Sequence, residues 1–304
     1  MLVPMVPVSA LPATAPPFRS KRMSDRNRNL LPYQNIENSI LGPYRSRLWG
    51  PFIHSVKEYR LIQPGDKIAV CISGGKDSML MAKLMQLLQR YSMFPFEVVF
   101  LVMDPGYNQQ NRQKIEDNAK LLGIPVTIFE TNIFDLADKA EKYPCYHCAR
   151  MRRGHLYKKA KELGCNKIAL GHHLNDVIET VVMGMCYSAE IQTMPPKLHS
   201  KNYPGMELVR PLYAIYEHDI IAWARYNGLQ FIQCACRVTD GREGETGSKR
   251  KEVKQLIQRL KKDNPTIEQS LFGAVHNVVV NTFPAYKDKS GKHSFLEHYE
   301  DGWK

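Results

Sequence analysis

The chain has 304 residues, 43% of them hydrophobic, and 42 Lys and Arg against 30 Asp and Glu give it a net charge of +12. The seven cysteines are too few and too scattered for a small disulfide-stapled scaffold, and no run of about 18 apolar residues exists, so we predict a cytoplasmic protein with no membrane span. The basic excess favours an anionic partner, nucleic acid above all; a protein whose charge serves only solubility is the alternative.

Composition divides the chain into four regions. Residues 1–30 are interrupted by prolines and predict a disordered leader, or an upstream start ahead of a working start at Met23; an organelle transit peptide is the less favoured alternative. Residues 31–60 predict an N-terminal helical segment. Residues 61–240 predict the main domain, and residues 241–304 predict a basic helical C-terminal unit with a tail.

Within residues 61–240, apolar strands alternate with helices. We predict strands at 66–73, 96–104, 125–131, 166–171 and 230–236, with helices at 78–92, 108–123, 155–164 and 175–187. This order predicts an α/β fold with an open, mostly parallel sheet and helices on both faces. Ligands of such folds bind where strands end and helices begin, which predicts that residues 73–78, Asp104 and residues 171–176 are neighbours in space.

The C-terminal region has a different pattern. A basic helix is predicted from residue 247 to Asp263, with Val253, Leu256, Ile257 and Leu260 on one face. A second helix is predicted to begin with a capping box formed by Thr266 and Gln269.

The segment SGGKDS, residues 73–78, lies between the first strand and its helix. Gly74 and Gly75 permit a tight turn that brings backbone N–H groups to a ligand, the helix start adds the positive end of its dipole, and Lys76 adds a cation. With the hydroxyls of Ser73 and Ser78, this set suits pyrophosphate. Neither the Walker loop nor the dinucleotide fingerprint is present, and an ordinary glycine-rich turn is the alternative.

SGGKDS resembles the PP-loop of the ATP pyrophosphatase superfamily. The resemblance implies that ATP is split between its α- and β-phosphates and that a carbonyl oxygen is adenylated. It also implies which residues hold the phosphates: Ser73, Gly74, Gly75, Lys76, Asp77 and Ser78.

Two cysteine pairs indicate metal or redox chemistry. Cys145 and Cys148 are two residues apart, a spacing that lets two thiolates bind one metal centre, and Cys234 and Cys236 follow the predicted fifth strand. Four thiolates would form a closed zinc site, whereas three around a [4Fe-4S] cluster would leave one iron open. A redox disulfide and chance are further alternatives, and spacing alone does not decide. The remaining cysteines are interpreted as core or spare thiols: Cys71, Cys165 and Cys186.

A third motif runs from the fourth strand into a helix. Gly171 permits the turn, and Asp176 at the helix start could hold Mg²⁺ through oxygen or could cap the helix. His172 and His173 could position a phosphate or could be structural.

Four strings make the resemblance more specific. CYHCARMRRGHLY, LGHHLNDVIETVVMGMCY, MPPKL and VRPL resemble the tRNA 2-thiocytidine synthetase family, in the same order, over residues 67–236. This family implies that ATP with Mg²⁺ adenylates O2 of a cytosine at position 32 of the tRNA anticodon loop. A sulfur donor then displaces AMP, and a [4Fe-4S] cluster with an open iron carries the sulfide.

Positions at strand ends assign some roles, and the family resemblance assigns the cluster ligands. Lys76 and Asp176 are predicted to be catalytic, and Asp104, Gly171 and His172 are predicted to join residues 73–78 at the nucleotide. The cluster ligands would be Cys145, Cys148 and Cys234, with Cys236 as the alternative third ligand because CACRVTDG departs from the family pattern of two cysteines two residues apart followed by Gly-Ser-Gln. The implied partners are tRNA and a sulfur donor such as a cysteine desulfurase, and a homodimer is an allowed assembly.

Two other hypotheses remain. One is a PP-loop enzyme acting on a different carbonyl, such as a lysidine synthetase, another tRNA thiolase or a small-molecule sulfurtransferase; Cys145 and Cys148 argue against the lysidine reaction, which needs no thiols. The other is a zinc-stabilised RNA-binding protein with a decayed loop, and the intact SGGKDS argues against it.

Overall fold

The centre of the protein is a six-stranded sheet, seen in a computed structural model that describes residues 30–134, 144–232 and 248–300. The strand order is β3-β2-β1-β4-β6-β5, and every neighbouring pair is parallel except β5 and β6. The predicted open, mostly parallel α/β sheet is therefore confirmed. The strands are β1 (Lys67–Ile72), β2 (Glu97–Asp104), β3 (Val126–Glu130), β4 (Lys167–Ala169), β5 (Lys197–His199) and β6 (Glu207–Val209).

Helices flank this sheet along its whole described length. In chain order they are α1 (Pro32–Leu41), α2 (Gly50–Glu58), α3 (Lys76–Tyr91), α4 (Gln109–Leu122), α5 (Pro144–Glu162), α6 (Leu174–Tyr187), α7 (Glu217–Tyr226), α8 (Ser248–Asp263) and α9 (Ile267–Ala274). A π-helical turn, Arg45–Trp49, leads into α2. Near the C-terminus, β7 (Ala285–Lys287) and β8 (Lys292–Ser294) form a hairpin between two short 3₁₀ turns, Val280–Thr282 and Phe295–His298.

The apolar core lies on both faces of the sheet. Strand β1 is buried from Ile68 to Ile72 because helices cover both of its faces, and such strands are continuously apolar. On one face the core contains Phe52 of α2 and Trp223 of α7. On the other face Tyr157 of α5 packs with residues of β4 and β6. A smaller cluster joins α6 to α8. Among the described residues, no helix is long and apolar enough to cross a membrane.

Two features of the sheet differ from the predictions. Residues 230–232 of the predicted fifth strand are irregular, and residues 233–236 lie outside the described part of the chain. The sheet is instead completed by β5 and β6, which lie within and after the MPPKL string. These strands have three residues each, too short for an alternating apolar pattern to identify them.

The helix boundaries also differ in part. Helix α5 begins at Pro144, eleven residues before the predicted start at residue 155. The capping box at Thr266 is wrong: its hydroxyl donates to Asn264 Oδ1 at 2.8 Å instead of capping α9. The predicted end of α4 is confirmed, since Gly123 adopts the left-handed conformation with φ of 62°.

Candidate active site

Three adjacent parallel strands end at the same edge of the sheet. The carboxyl end of β1 leads into residues 73–78, that of β4 into residues 170–173, and that of β6 into Arg210. The chain passes from β1 toward β2 on one side, whereas β4 and β6 lie on the other. The gap between β1 and β4 is thus a topological switch point, where open α/β sheets bind ligands.

The loop after β1 is held in shape by its own serines. Ser73 N donates to Ser78 Oγ at 3.1 Å, and Ser78 Oγ donates to Gly75 O at 2.9 Å. Gly74 has φ of +86°, and a Cβ there would lie 2.5 Å from Ile115 Cγ1, so only glycine fits. Gly75 precedes α3, and among the described residues no side chain caps this helix start. The first backbone N–H groups of α3 thus form a cradle that has no described partner, the arrangement that binds phosphate.

Lys76 lies beside this cradle between two carboxylates. Its Nζ is 3.1 Å from Asp77 Oδ2 and 3.0 Å from Glu217 Oε1, the latter contributed by α7. Burial acts to lower the pKa of Lys76, but Asp77 and Glu217 raise it overall, so the ammonium is charged at neutral pH. Glu217 also pairs with Lys254 of α8. Burial acts to raise the pKa of Glu217, yet the two lysines lower it to about 2.

The loop after β4 packs closely on the cradle. A Cβ at Gly171 would lie 3.1 Å from Ser78 N, so glycine is required for this approach. Next to it, burial lowers the pKa of His172 to about 4, which leaves the imidazole neutral at pH 7. His173 begins α6: its backbone N donates to Asp176 Oδ2 at 3.0 Å, and its Nδ1 accepts from Asp176 N at 3.4 Å. Asp176 is thus part of a helix cap, and its other oxygen, Oδ1, accepts from Arg250 Nη1 at 3.1 Å.

Unpaired polar atoms concentrate at this edge. In the described part of the chain, four buried side-chain nitrogen or oxygen atoms have no hydrogen-bond partner, and three of them are Asp77 Oδ1, His172 Nδ1 and Arg210 Nε. Buried polar atoms are usually paired, because an unpaired one costs about 1–3 kcal/mol. The N–H groups of the cradle and the Arg210 guanidinium fit a polyanionic ligand such as a nucleotide, whereas the carboxylate oxygen of Asp77 fits a cation that accompanies it.

Asp104 is at the end of β2, on the far side of β1 from β4. Its Oδ1 accepts from the backbone N–H groups of Gly106 and Tyr107 at 2.9 and 2.7 Å, and its Oδ2 accepts from Arg112 at 3.0 Å. This carboxylate shapes the loop after β2. That loop reaches the cradle, since Tyr107 Oη donates to Ser73 O at 3.3 Å.

The predicted cluster ligands are described only in part. Cys145 and Cys148 lie in the first turns of α5 with two residues between them, and their side chains are outside the described structure. Cys234 and Cys236 both fall between the described residues 232 and 248. Within the described residues no group of three His, Cys, Asp or Glu side chains is arranged to hold a metal ion.

The remaining cysteines are free thiols. Cys71 and Cys165 are buried free thiols; burial raises the pKa of both, that of Cys71 to about 12, which makes them unreactive. Cys186 is exposed on α6.

Four charged residues at the site were missed by the sequence analysis. Glu217, Arg250 and Lys254 come from helices far along the chain, and no local pattern connects them to residues 73–78. Arg210 lies in the VRPL string, which marked the family resemblance, but nothing in that string indicated a chemical role for the arginine.

These features define the class: this is a PP-loop nucleotide-binding protein. Residues 51–237 match the PP-loop domain family. A curated relative named tRNA-cytidine(32) 2-sulfurtransferase from Citrifermentans bemidjiense is 34% identical over 228 residues, covering 74% of this chain and 87% of the relative. The relative of the same name from Syntrophotalea carbinolica is 35% identical, with 74% and 86% covered. The chain belongs to the PP-loop family of tRNA-cytidine(32) 2-sulfurtransferases.

A solved structure shares the fold. The U34-tRNA thiolase NcsA from Methanococcus maripaludis, determined with its [4Fe-4S] cluster, superposes with a TM-score of 0.60 at 22% identity, covering 76% of this chain and 79% of that chain. Both the family membership and the fold agree with the resemblance found in the sequence.

Proposed function

We propose that this chain is an ATP-dependent tRNA-cytidine 2-sulfurtransferase that converts a cytosine of the anticodon loop, at position 32, to 2-thiocytidine. The observation that carries the proposal is the open cradle of residues 73–78, bordered by unpaired buried polar atoms, in a chain that is 34% identical to relatives of that name. The net charge of +12 suits an RNA substrate, and a single-stranded loop base can be turned out into a site.

The first step activates the base. The O2 atom of cytosine attacks the α-phosphorus of ATP, a C–O–P link forms, and pyrophosphate leaves with the electrons of the broken P–O bond. The N–H groups at the start of α3 hold the pyrophosphate. Lys76 leaves its ion pairs with Asp77 and Glu217 and pairs with phosphate oxygens instead, which neutralises part of their charge. The product carries a phosphate ester at C2, a much better leaving group than oxide.

Mg²⁺ would bind ATP from the carboxylate side of the cradle. Oxygen ligands suit this ion, and Asp77 Oδ1 is a buried oxygen without a hydrogen-bond partner in the described structure, 3.8 Å from His173 Nε2. Asp176 is the second proposed ligand. Its Oδ1 would give up the hydrogen bond from Arg250 and bind the ion instead.

The second step exchanges oxygen for sulfur. A sulfur nucleophile at the oxidation level of sulfide forms the C2–S bond, and the C2–O bond breaks so that its electron pair leaves with AMP. Cys145, Cys148 and Cys234, or Cys236 in place of Cys234, would hold a [4Fe-4S] cluster whose open iron supplies the sulfide as a Lewis acid. A donor such as a cysteine desulfurase would renew the sulfur as a persulfide, and a two-electron reductant would bring that sulfur to the level of sulfide.

The decisive experiment is nucleoside mass spectrometry of tRNA from a bacterial strain that lacks its own 2-thiocytidine enzyme and expresses this chain. We expect 2-thiocytidine at position 32 with the wild-type chain. With Lys76→Ala we expect the release of AMP and pyrophosphate to fall by at least about 100-fold, because a preorganised charge at a phosphoryl group contributes this much, while tRNA binding persists.

Lys120→Ala is the matched control, since Lys120 is an exposed lysine of α4 without a described role at the cradle. The control should retain full activity. Unchanged turnover in Lys76→Ala, or wild-type tRNA without the thiolated nucleoside, would contradict the proposed function.

A second experiment tests the cluster. Protein purified without oxygen should be brown and contain iron and sulfide, and Cys145→Ala should lose the absorbance. Cys186→Ala, which removes an exposed free thiol, should keep it. The same measurement on Cys234→Ala and Cys236→Ala identifies the third ligand. Zinc without iron, or an unchanged spectrum in Cys145→Ala, would refute the cluster.

A further inference from the structure

Arg210 is a buried cation, only 7% exposed, and it forms no ion pair with any carboxylate of the described residues. Its Nη1 donates to the carbonyl oxygen of Pro195, and its backbone N donates to Pro196 O at 2.8 Å. Its Nε has no hydrogen-bond partner in the part of the chain that the structure describes. A buried guanidinium normally pairs with an anion, because removing the charge from water costs several kcal/mol.

The backbone around Arg210 fixes its position relative to the cradle. Ala169 of β4 pairs with Val209 of β6, and Leu170 N donates to Val209 O at 3.0 Å. Arg210 is therefore level with the residues that follow β4, where Gly171 contacts the backbone of Ser78. One strand away, His172 carries a second buried nitrogen without a partner.

The other neighbour of Arg210 is the helix that carries the first cysteine pair. Tyr157 of α5 stacks on Tyr203 at 5.0 Å between ring centres, and Tyr203 Oη donates to Gly154 O at 3.0 Å, which ties α5 to the loop before β6. Burial lowers the pKa of Arg210 to about 10, so the guanidinium remains charged at neutral pH. Arg153, Tyr157 and the carboxylate of Asp176 also lie near enough to affect this pKa. Arg210 thus lies near both the loop that packs on the cradle and residues of α5.

We infer that Arg210 is a further catalytic residue, whose guanidinium binds the α-phosphate of the nucleotide and stabilises it as the leaving group. The inference rests on the proposed function. With the β- and γ-phosphates in the cradle and the base approaching from the side of α5, the α-phosphate would lie next to Arg210. When the bond between the base carbon and the ester oxygen breaks, its electron pair leaves with AMP. The phosphate gains one negative charge, and a charged fork of donors suits this anion.

Arg210 could instead bind a backbone phosphate of the RNA. Three separate probes distinguish the two phosphates: AMP, pyrophosphate and unmodified tRNA. Dissociation constants are measured by calorimetry or filter binding on the full chain. In Arg210→Met we expect AMP binding to weaken by about tenfold to a hundredfold, the effect of losing a charged hydrogen-bonded contact, with pyrophosphate and tRNA binding unchanged.

Thermal unfolding separates this role from a structural one. The melting temperature of Arg210→Met should equal or exceed that of the wild type, because the variant removes a buried cation that has no anionic partner in the described protein. Arg210→Lys should recover part of the AMP affinity. Arg225→Met is the matched control, since it makes the same change at an exposed position of α7, and it should leave all three affinities unaltered.

Unchanged AMP affinity in Arg210→Met would overturn the inference, and so would weakened tRNA binding with normal AMP binding in that variant. A third contrary outcome is a lowered melting temperature together with the loss of all three affinities in both Arg210→Met and Arg210→Lys. Failure of the proposed function is distinguishable. A wild-type protein that binds AMP through Arg210 but forms no 2-thiocytidine would support the phosphate contact and refute the thiolation, whereas normal thiolation by Arg210→Met with unchanged AMP affinity would refute only the contact.

Discussion

Lys76 lies within a chain of alternating charges that extends beyond its own loop. Glu217 joins Lys76 to Lys254 of α8, and the backbone N of Glu217 donates to Asn175 Oδ1 at 2.9 Å, which fixes the carboxylate against the start of α6. A phosphate that takes Lys76 from Glu217 therefore leaves that carboxylate paired with Lys254. The charge of Glu217 remains compensated during the exchange, which lowers its energetic cost.

Glu179 has the most pH-sensitive carboxyl group near the site. Burial raises its pKa to about 7 from the ordinary 4.5, because Arg250, 3.7 Å away, also pairs with Asp176 and offsets the burial only in part. Between these pH values the folded chain retains a proton that the unfolded chain has released. The unfolded state binds fewer protons there, so stability falls as pH rises from 4.5 to about 7 and then levels off.

Glu179→Gln should remove this pH-dependent loss of stability. We expect the variant and the wild type to be similarly stable near pH 5, where Glu179 is protonated, and the variant to be more stable by about 2 kcal/mol at pH 8. Urea unfolding at a series of pH values measures the difference. Glu58→Gln, at an exposed position of α2, is the control. A difference between Glu179→Gln and wild type that does not change with pH would show that Glu179 ionises normally.

Helix α1 is attached to α3 through a buried charge cluster. Lys83 is fully buried, and its Nζ is 2.6 Å from Glu37 Oε1 of α1; Arg90 Nη1 lies 2.8 Å from Glu37 Oε2. Burial by itself would raise the pKa of Glu37, but Arg90 and Lys83 lower it overall. Because either charge would be costly in the interior alone, this pairing fixes the position of α1 on the sheet.

Breaking this pair should destabilise the protein more than replacing it. Glu37→Leu or Lys83→Met alone should lower the free energy of unfolding by about 3 kcal/mol, because each leaves a charge without its buried partner. The double variant Glu37→Leu/Lys83→Met should lose clearly less free energy of unfolding than the sum of the two single losses. Arg90→Met, at a half-exposed position, should cost about 1 kcal/mol or less. Urea unfolding of the four variants forms a double-mutant cycle with its control, and additive losses would disprove the coupling.

At the level of the whole molecule, the C-terminal unit completes the site. Val253 and Ile257 of α8 pack on Leu174 and Ile178 of α6, which brings Arg250 and Lys254 to the acidic residues around the cradle. The other two apolar residues of the predicted helix face, Leu256 and Leu260, remain exposed at 39% and 42%. The docked helix thus uses a narrower apolar stripe than its sequence suggested, and its cations near the cradle are paired with carboxylates.

The amino-acid sequence by itself determined the parts of this protein whose chemistry is local. The apolar run of β1 and the string of residues 73–78 need only their own spacing to specify a buried strand and a phosphate-binding turn, and the end of α4 needs only Gly123. The order of strands and helices was sufficient for the α/β class, because buried parallel strands and their crossover helices carry distinct patterns.

Only the tertiary structure decided which distant residues meet at the cradle. Arg210, Glu217 and Arg250 reach one edge of the sheet from β6, α7 and α8, and their positions depend on strand order and helix docking, which involve contacts between residues far apart in the chain. The unpaired state of the Arg210 Nε is likewise a property of its surroundings. A sequence records which charges a chain has, but burial and distance determine whether each charge is neutralised by the protein or left for a ligand.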